Sequence, residues 1–338
     1  MGSPDLLWQL FYIILGIILL TFGGDLVVRG SVTLAIKLGI SKVLVGMIVV
    51  GFGTSAPELL VSISATLSGS PDIAVGNVVG SNIANFLLIL GLAIIITPVF
   101  CKDPAIKRDS GAVIISAIIL LIFAQDGIIS TAEGGIMLAI LLSYLGYCIA
   151  LSRRPQTAGG DRSEAPDSAE ASTYTHEADE FNLDQSVLAG LMLSAVGIIM
   201  LLAGADFLVG GASAMARSIG ISEAVIGLTL VAVGTSLPEL AAMIPAALKR
   251  HDDVIIGNIM GSTLFNILSI LGITALITPL NVAPQIIAMD IPISLAIVAL
   301  TGGAIMVLSR LPRFLGGVML AAYGGYLIWL FTTGSIAG

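Results

Sequence analysis

Two segments place an acid deep inside a long apolar run: Gly53-Thr54-Ser55-Ala56-Pro57-Glu58 and Gly234-Thr235-Ser236-Leu237-Pro238-Glu239. Thr54, Ser55 and Glu58 stand at i, i+1 and i+4, so on a helix Thr54 and Glu58 share a face and Ser55 lies beside them. Thr235, Ser236 and Glu239 repeat the pattern. An ionisable side chain in such a run is costly and marks a pathway or site by default. Two carboxylates brought together repel, and a divalent cation relieves both the repulsion and the desolvation. The donors are all oxygens, without sulfur or imidazole, which suits calcium, with about six to eight oxygen ligands, and sodium. It argues against zinc, copper or iron. Cys101, Cys148, His176 and His251 have no metal-ligand spacing.

Pro57 and Pro238 extend the donor set. Proline has no N–H and strains the preceding turn. The carbonyls around Gly51–Thr54 and Ala232–Thr235 are therefore expected to be free to point inward. A second polar pair, Ser81 and Asn85 at i, i+4, recurs as Ser262 and Asn266. Their neutral oxygens either complete monovalent cation sites or hydrogen-bond between helices. Gly76-Asn77 and Gly257-Asn258 read as helix entry and packing. Asp25 and Asp206 lie near the ends of their runs, where they pair with basic or backbone groups. Asp109 and Asp290 open new helices as N-caps. All four aspartates are left out of the site.

The elements that hold these residues belong in lipid. Of 338 residues, 57% are hydrophobic and 11% charged, against about 25% charged in soluble domains. A globule so poor in charge could not clothe its own surface. Ten apolar stretches approach the span length of about 20 residues: 6–28, 42–67, 73–98, 110–125, 132–151, 186–209, 223–248, 254–278, 287–308 and 314–332. They run continuously, without period-2 alternation, which favours helices over a barrel. No Lys or Arg precedes Arg29 and no A-x-A site follows the first run, so residues 6–28 read as a retained helix and not a cleaved signal.

A shift of 181 residues lays one half of the chain on the other. Beyond the glutamate motifs it matches Gly76-Asn77 to Gly257-Asn258, Gly80-Ser81 to Gly261-Ser262, Asn85 to Asn266 and Thr97-Pro98 to Thr278-Pro279. Asp25 falls on Asp206 and Asp109 on Asp290; with one residue inserted, Tyr144 falls on Tyr326. Five helices per unit start the second unit on the opposite face, so the repeats are inverted, a signature of secondary transporters with midplane sites. The organisation expected is residues 1–151 as one five-helix repeat, 152–185 as a linker and 186–338 as the second repeat. The linker carries eight acids and three Arg with few large apolar residues, so it reads as flexible. It has no EF-hand spacing. With the N-terminus outside, 13 of the 14 basic residues, all but Arg217, fall on the inner side, as the positive-inside rule requires. The linker is then cytoplasmic, and the cell membrane is the expected location.

The doubled Gly-Thr-Ser-x-Pro-Glu motif, each copy followed by Gly-Asn, Gly-Ser and Asn, resembles the two alpha repeats of sodium/calcium exchangers, within the calcium/cation antiporter superfamily. The resemblance covers almost all of the chain outside the linker. It implies an all-α integral membrane protein of ten transmembrane helices in two inverted five-helix repeats. Glu58 and Glu239 would be the central calcium ligands, helped by the Thr54 and Thr235 carbonyls. Sodium sites would use Ser55, Ser81, Ser236 and Ser262, the glutamates, and the carbonyls of Gly51 and Ala232. Asn85 and Asn266 would line the middle, and the first and sixth helices would slide across the rest. Some relatives, potassium-dependent ones included, carry Asp at the position of Asn266, so neutral Asn argues against potassium co-transport. The Gly-Thr-Ser lead-in favours sodium as counter-ion.

The reading is therefore calcium-for-sodium exchange by alternating access. A calcium/proton exchanger of the same fold and a passive cation channel remain as alternatives. No Walker A or HExxH motif and no nucleophile–base pair suggests an enzyme. No cofactor is expected beyond the transported Ca²⁺ and Na⁺. The partners expected are those ions and the lipid bilayer, with no nucleic acid and no obligate protein.

Overall fold

The computed structural model describes residues 4–67, 69, 71–152, 186–218 and 234–334. The acidic linker expected over 152–185, beyond its first residue, and the first half of the run 223–248 lie outside these.

Helix α1 (Pro4–Leu38) is followed by α2 (Lys42–Thr54), which contains the π-helical turn Gly46–Gly51, and by α3 (Ala56–Leu67). The α2 and α3 axes differ by 43° across Ser55. Helix α4 is continuous from Pro71–Ala84 through the π turn Asn85–Leu90 to Gly91–Ile96. It stops where Thr97 turns extended, as a residue before proline must. Strand β1 (Val99–Phe100) leads to α5 (Pro104–Phe123), β2 (Ile128–Ile129) and α6 (Thr131–Ser152). Ser130 and Glu133 close a capping box at the start of α6, Ser130 N–H donating to Glu133 Oε2 at 2.7 Å.

The second half repeats this. Its described elements are α7 (Val187–Ser218), α8 (Leu237–Leu248), α9 (Asp252–Ile277), β3 (Leu280–Asn281), α10 (Ile286–Val307), β4 (Arg310–Leu311) and α11 (Arg313–Gly334). Helix α9 has a π turn at Phe265–Ile270, and Thr278 before Pro279 ends it as Thr97 ends α4. Six of these helices are long and apolar enough to cross a membrane singly, and the bent α2–α3 pair makes a seventh span.

Several elements pack across the two halves. Strand β1 pairs antiparallel with β4, and β2 with β3. Helix α5 packs on its mate α10, α6 on the end of α9, and α11 on the end of α4. Helices α1 and α7, also mates, run antiparallel in close contact through glycines spaced by seven: Gly16 faces Gly204, Gly23 faces Gly197 and Gly30 faces Gly190. A Cβ on any of these would meet backbone of the facing helix. Small residues allow such approach between helices in lipid.

Several expectations are corrected. Helix α1 extends to Leu38 and α7 to Ser218, past the apolar runs that end near Asp25 and Asp206, and Asp25 pairs with basic groups, Arg29 and Lys249, as expected. Asp109 is not an N-cap. Helix α5 starts earlier, with Pro104 in its first turn and Asp103 Oδ1 accepting from Ala105 N–H at 2.8 Å. Asp109 instead binds Arg108 and the Tyr144 hydroxyl. Asp290 lies within the continuous helix α10 and accepts from its own partner Tyr326 at 3.5 Å. Helix α5 begins sooner than its apolar run, because capping by Asp103 and the proline at its first turn, not hydropathy, decide where it starts.

Candidate cation site

The site forms where α2 breaks into α3 and where the chain enters α8. Ser55 (φ −81°, ψ 7°) and Ser236 (φ −90°, ψ 4°) leave helical geometry in the same way. The break follows from Pro57 and Pro238, which cannot donate to the carbonyl four residues back. Each proline lies one residue before its glutamate, so the break aims Glu58 and Glu239 into the interior, where each is 1% exposed.

The two carboxylates are close enough to interact electrostatically. Ser55 Oγ donates to Glu239 Oε1 at 3.3 Å across the halves, and Thr54 also faces Glu239. The hydroxyls of Ser81 and Thr235 face Glu58. Both Glu58 oxygens, Glu239 Oε2, Asn85 Oδ1 and Asn266 Oδ1 are buried and have no hydrogen-bond partner among the described residues. Leaving one buried acceptor unmade costs about 1–3 kcal/mol, more if charged. Buried unpartnered oxygens of this kind are the ligand type that a hard cation takes. Among the described residues no cluster of three or more His, Cys, Asp or Glu occurs. The candidate site offers two buried acids and neutral buried side-chain oxygens.

The remaining predicted residues fall as follows. Ser262 Oγ donates to the Gly51 carbonyl at 3.3 Å, and the Ser55 N–H reaches the same oxygen at 3.2 Å. That carbonyl is therefore occupied rather than free, and the expectation of an unengaged carbonyl there is corrected: the chain breaks at Ser55, after Ser55 has closed its own helical bond. Asn85 opens one π turn and Asn266 is the second residue of the other, and both are buried. Ser236 is buried, and its carbonyl accepts from Leu240 N–H at 3.1 Å. Ala232 lies outside the described residues.

Three asparagines hold the surroundings of the glutamates, and of these only Asn82 had no place in the sequence reading. Asn77 Nδ2 donates to the Glu58 carbonyl at 3.2 Å and to Ser62 Oγ at 3.1 Å. Asn258 Oδ1 faces the Thr54 hydroxyl at 3.5 Å. Both lie within their helices, not at the entries, so the Gly-Asn pairs hold the broken segment instead of starting a helix. Asn82 Oδ1 accepts from Asn266 Nδ2 at 3.1 Å, which leaves the Asn266 oxygen turned away from that bond. Asn82 matches Thr263 in the repeat, so the doubled pattern gave no signal for it.

The matching faces of α3 and α8 differ in exposure. Leu60, Val61, Ser64 and Ala65 on α3 line an open cleft of about 430 Å³. Their repeat-mates on α8, Ala241, Ala242, Pro245 and Ala246, are each less exposed. Helix α1 covers that face of α8, while α7 makes no comparable packing on α3 among the described residues.

The sequence matches the family described as sodium/calcium exchanger protein over residues 8–150 and 189–332. The chain belongs to that family. It is 33% identical to the putative antiporter CaxA of Alkalimonas amylolytica, over 95% of this chain and 98% of CaxA. It is 32% identical to the sodium/calcium exchanger MaX1 of Methanosarcina acetivorans, over 94% and 97%. The fold superposes on the sodium–calcium exchanger NCX_Mj soaked with zero Na⁺ and Ca²⁺, with a TM-score of 0.81 at 30% identity, over 96% of this chain and 99% of that one. The protein is thus an integral membrane cation antiporter of the exchanger family, a class of transporters and not of enzymes.

Proposed function

We propose that the protein exchanges Ca²⁺ for Na⁺ by alternating access, both ions competing for one cluster built on Glu58 and Glu239. The observation that carries this is the set of unpartnered buried oxygens on Glu58, Glu239, Asn85 and Asn266. Two carboxylates are balanced by one Ca²⁺ or by two Na⁺, and a third Na⁺ would make exchange electrogenic. Thr54, Thr235, Ser55, Ser81, Ser236 and Ser262, with the carbonyls of Gly51 and Ala232, supply the neutral ligands. For Gly51 this requires the Ser262 hydroxyl to turn away and offer its own oxygen.

Ten spans in two inverted halves complete the reading. The antiparallel course of α1 against its mate α7, and the crosswise strand pairs β1–β4 and β2–β3, support inversion. Strand pairing also gathers Lys102 and Arg310 around Phe100 at one end, at 5.7 and 5.3 Å from its ring. That clustering supports a cytoplasmic assignment for this end, with both termini outside and residues 152–185 inside, in the cell membrane. In this orientation the α3 cleft opens outward.

Purified protein in liposomes tests the reading. An inward Ca²⁺ flux driven by an outward sodium gradient is expected, with none driven by a pH gradient alone. Flux with the pH gradient alone would instead identify calcium/proton exchange, and calcium conduction without any counter-ion would identify a channel.

A further inference from the structure

Asp25 joins α1 to α8 at the closed end. Its Oδ1 accepts from Lys249 Nζ at 2.5 Å and its Oδ2 from Arg29 Nε at 2.5 Å. Lys249 follows the last turn of α8, the helix whose first turn carries Glu239. The pair is partly buried, with 28% of the Lys249 side chain and 29% of the Asp25 side chain exposed. Beside it, Gly24 rests on the Ala241 carbonyl, where a Cβ would collide with backbone. His251 is buried near Lys42 and Lys249. Helix α1 is thereby pinned over the α8 face whose repeat counterpart on α3 is open.

Among the described residues none of these contacts has a counterpart in the other half. The 181-residue shift puts Asp206 at the position of Asp25, but Gly210 at that of Arg29, Ser68 at that of Lys249 and Ala205 at that of Gly24. Asp206 is exposed, without an ion pair to any described residue. Among the described residues, a carboxylate kept in both repeats therefore meets a cation in only one.

We propose that Asp25, Arg29 and Lys249 form a one-sided gate latch, which holds the Lys249-side mouth shut while ions exchange at the α3 mouth and opens once in each cycle. The latch rests on the alternating-access reading above. In that scheme the α3 mouth closes when α7 covers Leu60, Val61, Ser64 and Ala65, and among the described residues no ion pair is placed to strengthen that closure. The two closed states are then held unequally, and removing the latch shifts the population in one direction only. A partly buried pair in a membrane mouth lies between an exposed pair and a buried one, so a population shift of roughly tenfold is expected.

Thiol access in the full-length protein in nanodiscs, where both faces are open to reagent, tests this. In a Cys101→Ser, Cys148→Ser background, Ala242→Cys reports the Lys249-side mouth and Val61→Cys the α3 mouth. Lys249→Met is expected to raise the labelling rate at position 242 about tenfold and to lower it at position 61. Lys249→Arg, which keeps the ion pair, should leave both at the parent level. Asp25→Asn, read at position 61 alone, gives the same answer if the position-242 reporter folds poorly. Unchanged labelling in Lys249→Met and Asp25→Asn, or Lys249→Arg behaving like Lys249→Met, overturns the latch. Labelling requires no particular ion. A labelling shift without sodium-driven calcium flux would leave the latch standing and sink the exchange reading; flux without a labelling shift would do the reverse.

Discussion

The glycines between α1 and α7 make a quantitative test of how the two halves are joined. A Cβ built on Gly197 lies 2.7 Å from both Cγ2 and N of Val27 and 2.8 Å from the Gly23 carbonyl oxygen, against 3.4 Å for ordinary contact. The helices must part by 3.4 − 2.7 = 0.7 Å to admit one methyl. Backbone cannot rotate aside, so the strain falls in the upper part of the overpacking range, about 2–3 kcal/mol. Gly→Ala also gains about 1 kcal/mol of helix propensity, leaving a net loss of about 1–2 kcal/mol. Gly210, on the same helix, has nothing within 4 Å of its Cβ position. Gly210→Ala should therefore keep the propensity gain of about 1 kcal/mol without penalty. Thermal unfolding of the purified protein in one detergent compares the pair, and propensity cancels between them. Gly197→Ala is expected to melt below the parent and Gly210→Ala at or above it. Equal shifts in the two variants would refute the close antiparallel contact.

Three further outcomes follow from single positions. Arg250 has φ 57° where its repeat-mate Gly69 has φ 84°, a left-handed helix end that suits glycine; Arg250→Gly should stabilise by about 1 kcal/mol, seen as a raised melting temperature. Burial, followed by the nearby charges of Asp252 and Asp253, pushes the Cys101 thiol up to about 12, so maleimide at pH 8 should leave it unmodified in the folded protein and label it after unfolding. Burial, and then Lys42 and Lys249, pull His251 down from 6.5 to about 4. The unfolded chain then takes the proton first, and folding stability should fall as pH drops from about 6.5 to about 4, by at most about 3 kcal/mol. His251→Gln should flatten that part of the stability–pH curve, and an unchanged slope would remove the assignment.

Much of the site was legible because its residues violate the hydropathy around them. Glu58 and Glu239 stand out in apolar runs, and the repeat marks them twice. The prolines pointed to a break, but not to its exact residue: Ser55 and Ser236 carry the turn because the strain spreads to the residues before the proline. The fate of the Gly51 carbonyl depended on Ser262, 211 residues away, a contact that no local pattern encodes. Asn82 escaped because its mate is Thr263. Asp25 was seen as a carboxylate needing a partner, yet Lys249 is 224 residues distant, and only the packing of α1 on α8 brings them together. Helix ends were misplaced where capping residues such as Asp103 extend a helix past its apolar stretch. The sevenfold glycine spacing was written plainly in the sequence, but its meaning depends on which helix faces it.

The central claim is that Glu58 and Glu239 jointly hold the transported cation. Equilibrium ⁴⁵Ca²⁺ binding to the purified protein, with sodium as competitor, tests it most directly on the parent and on Glu58→Gln, Glu239→Gln and the double variant. Losing one of two ligating carboxylates should weaken binding by about 3–5 kcal/mol, roughly 150- to 5000-fold, if it behaves like breaking a buried charge pair. The double variant should bind no calcium, and sodium should displace calcium from the parent. Calcium bound with parental affinity by either single variant, while the protein remains folded, would contradict the account.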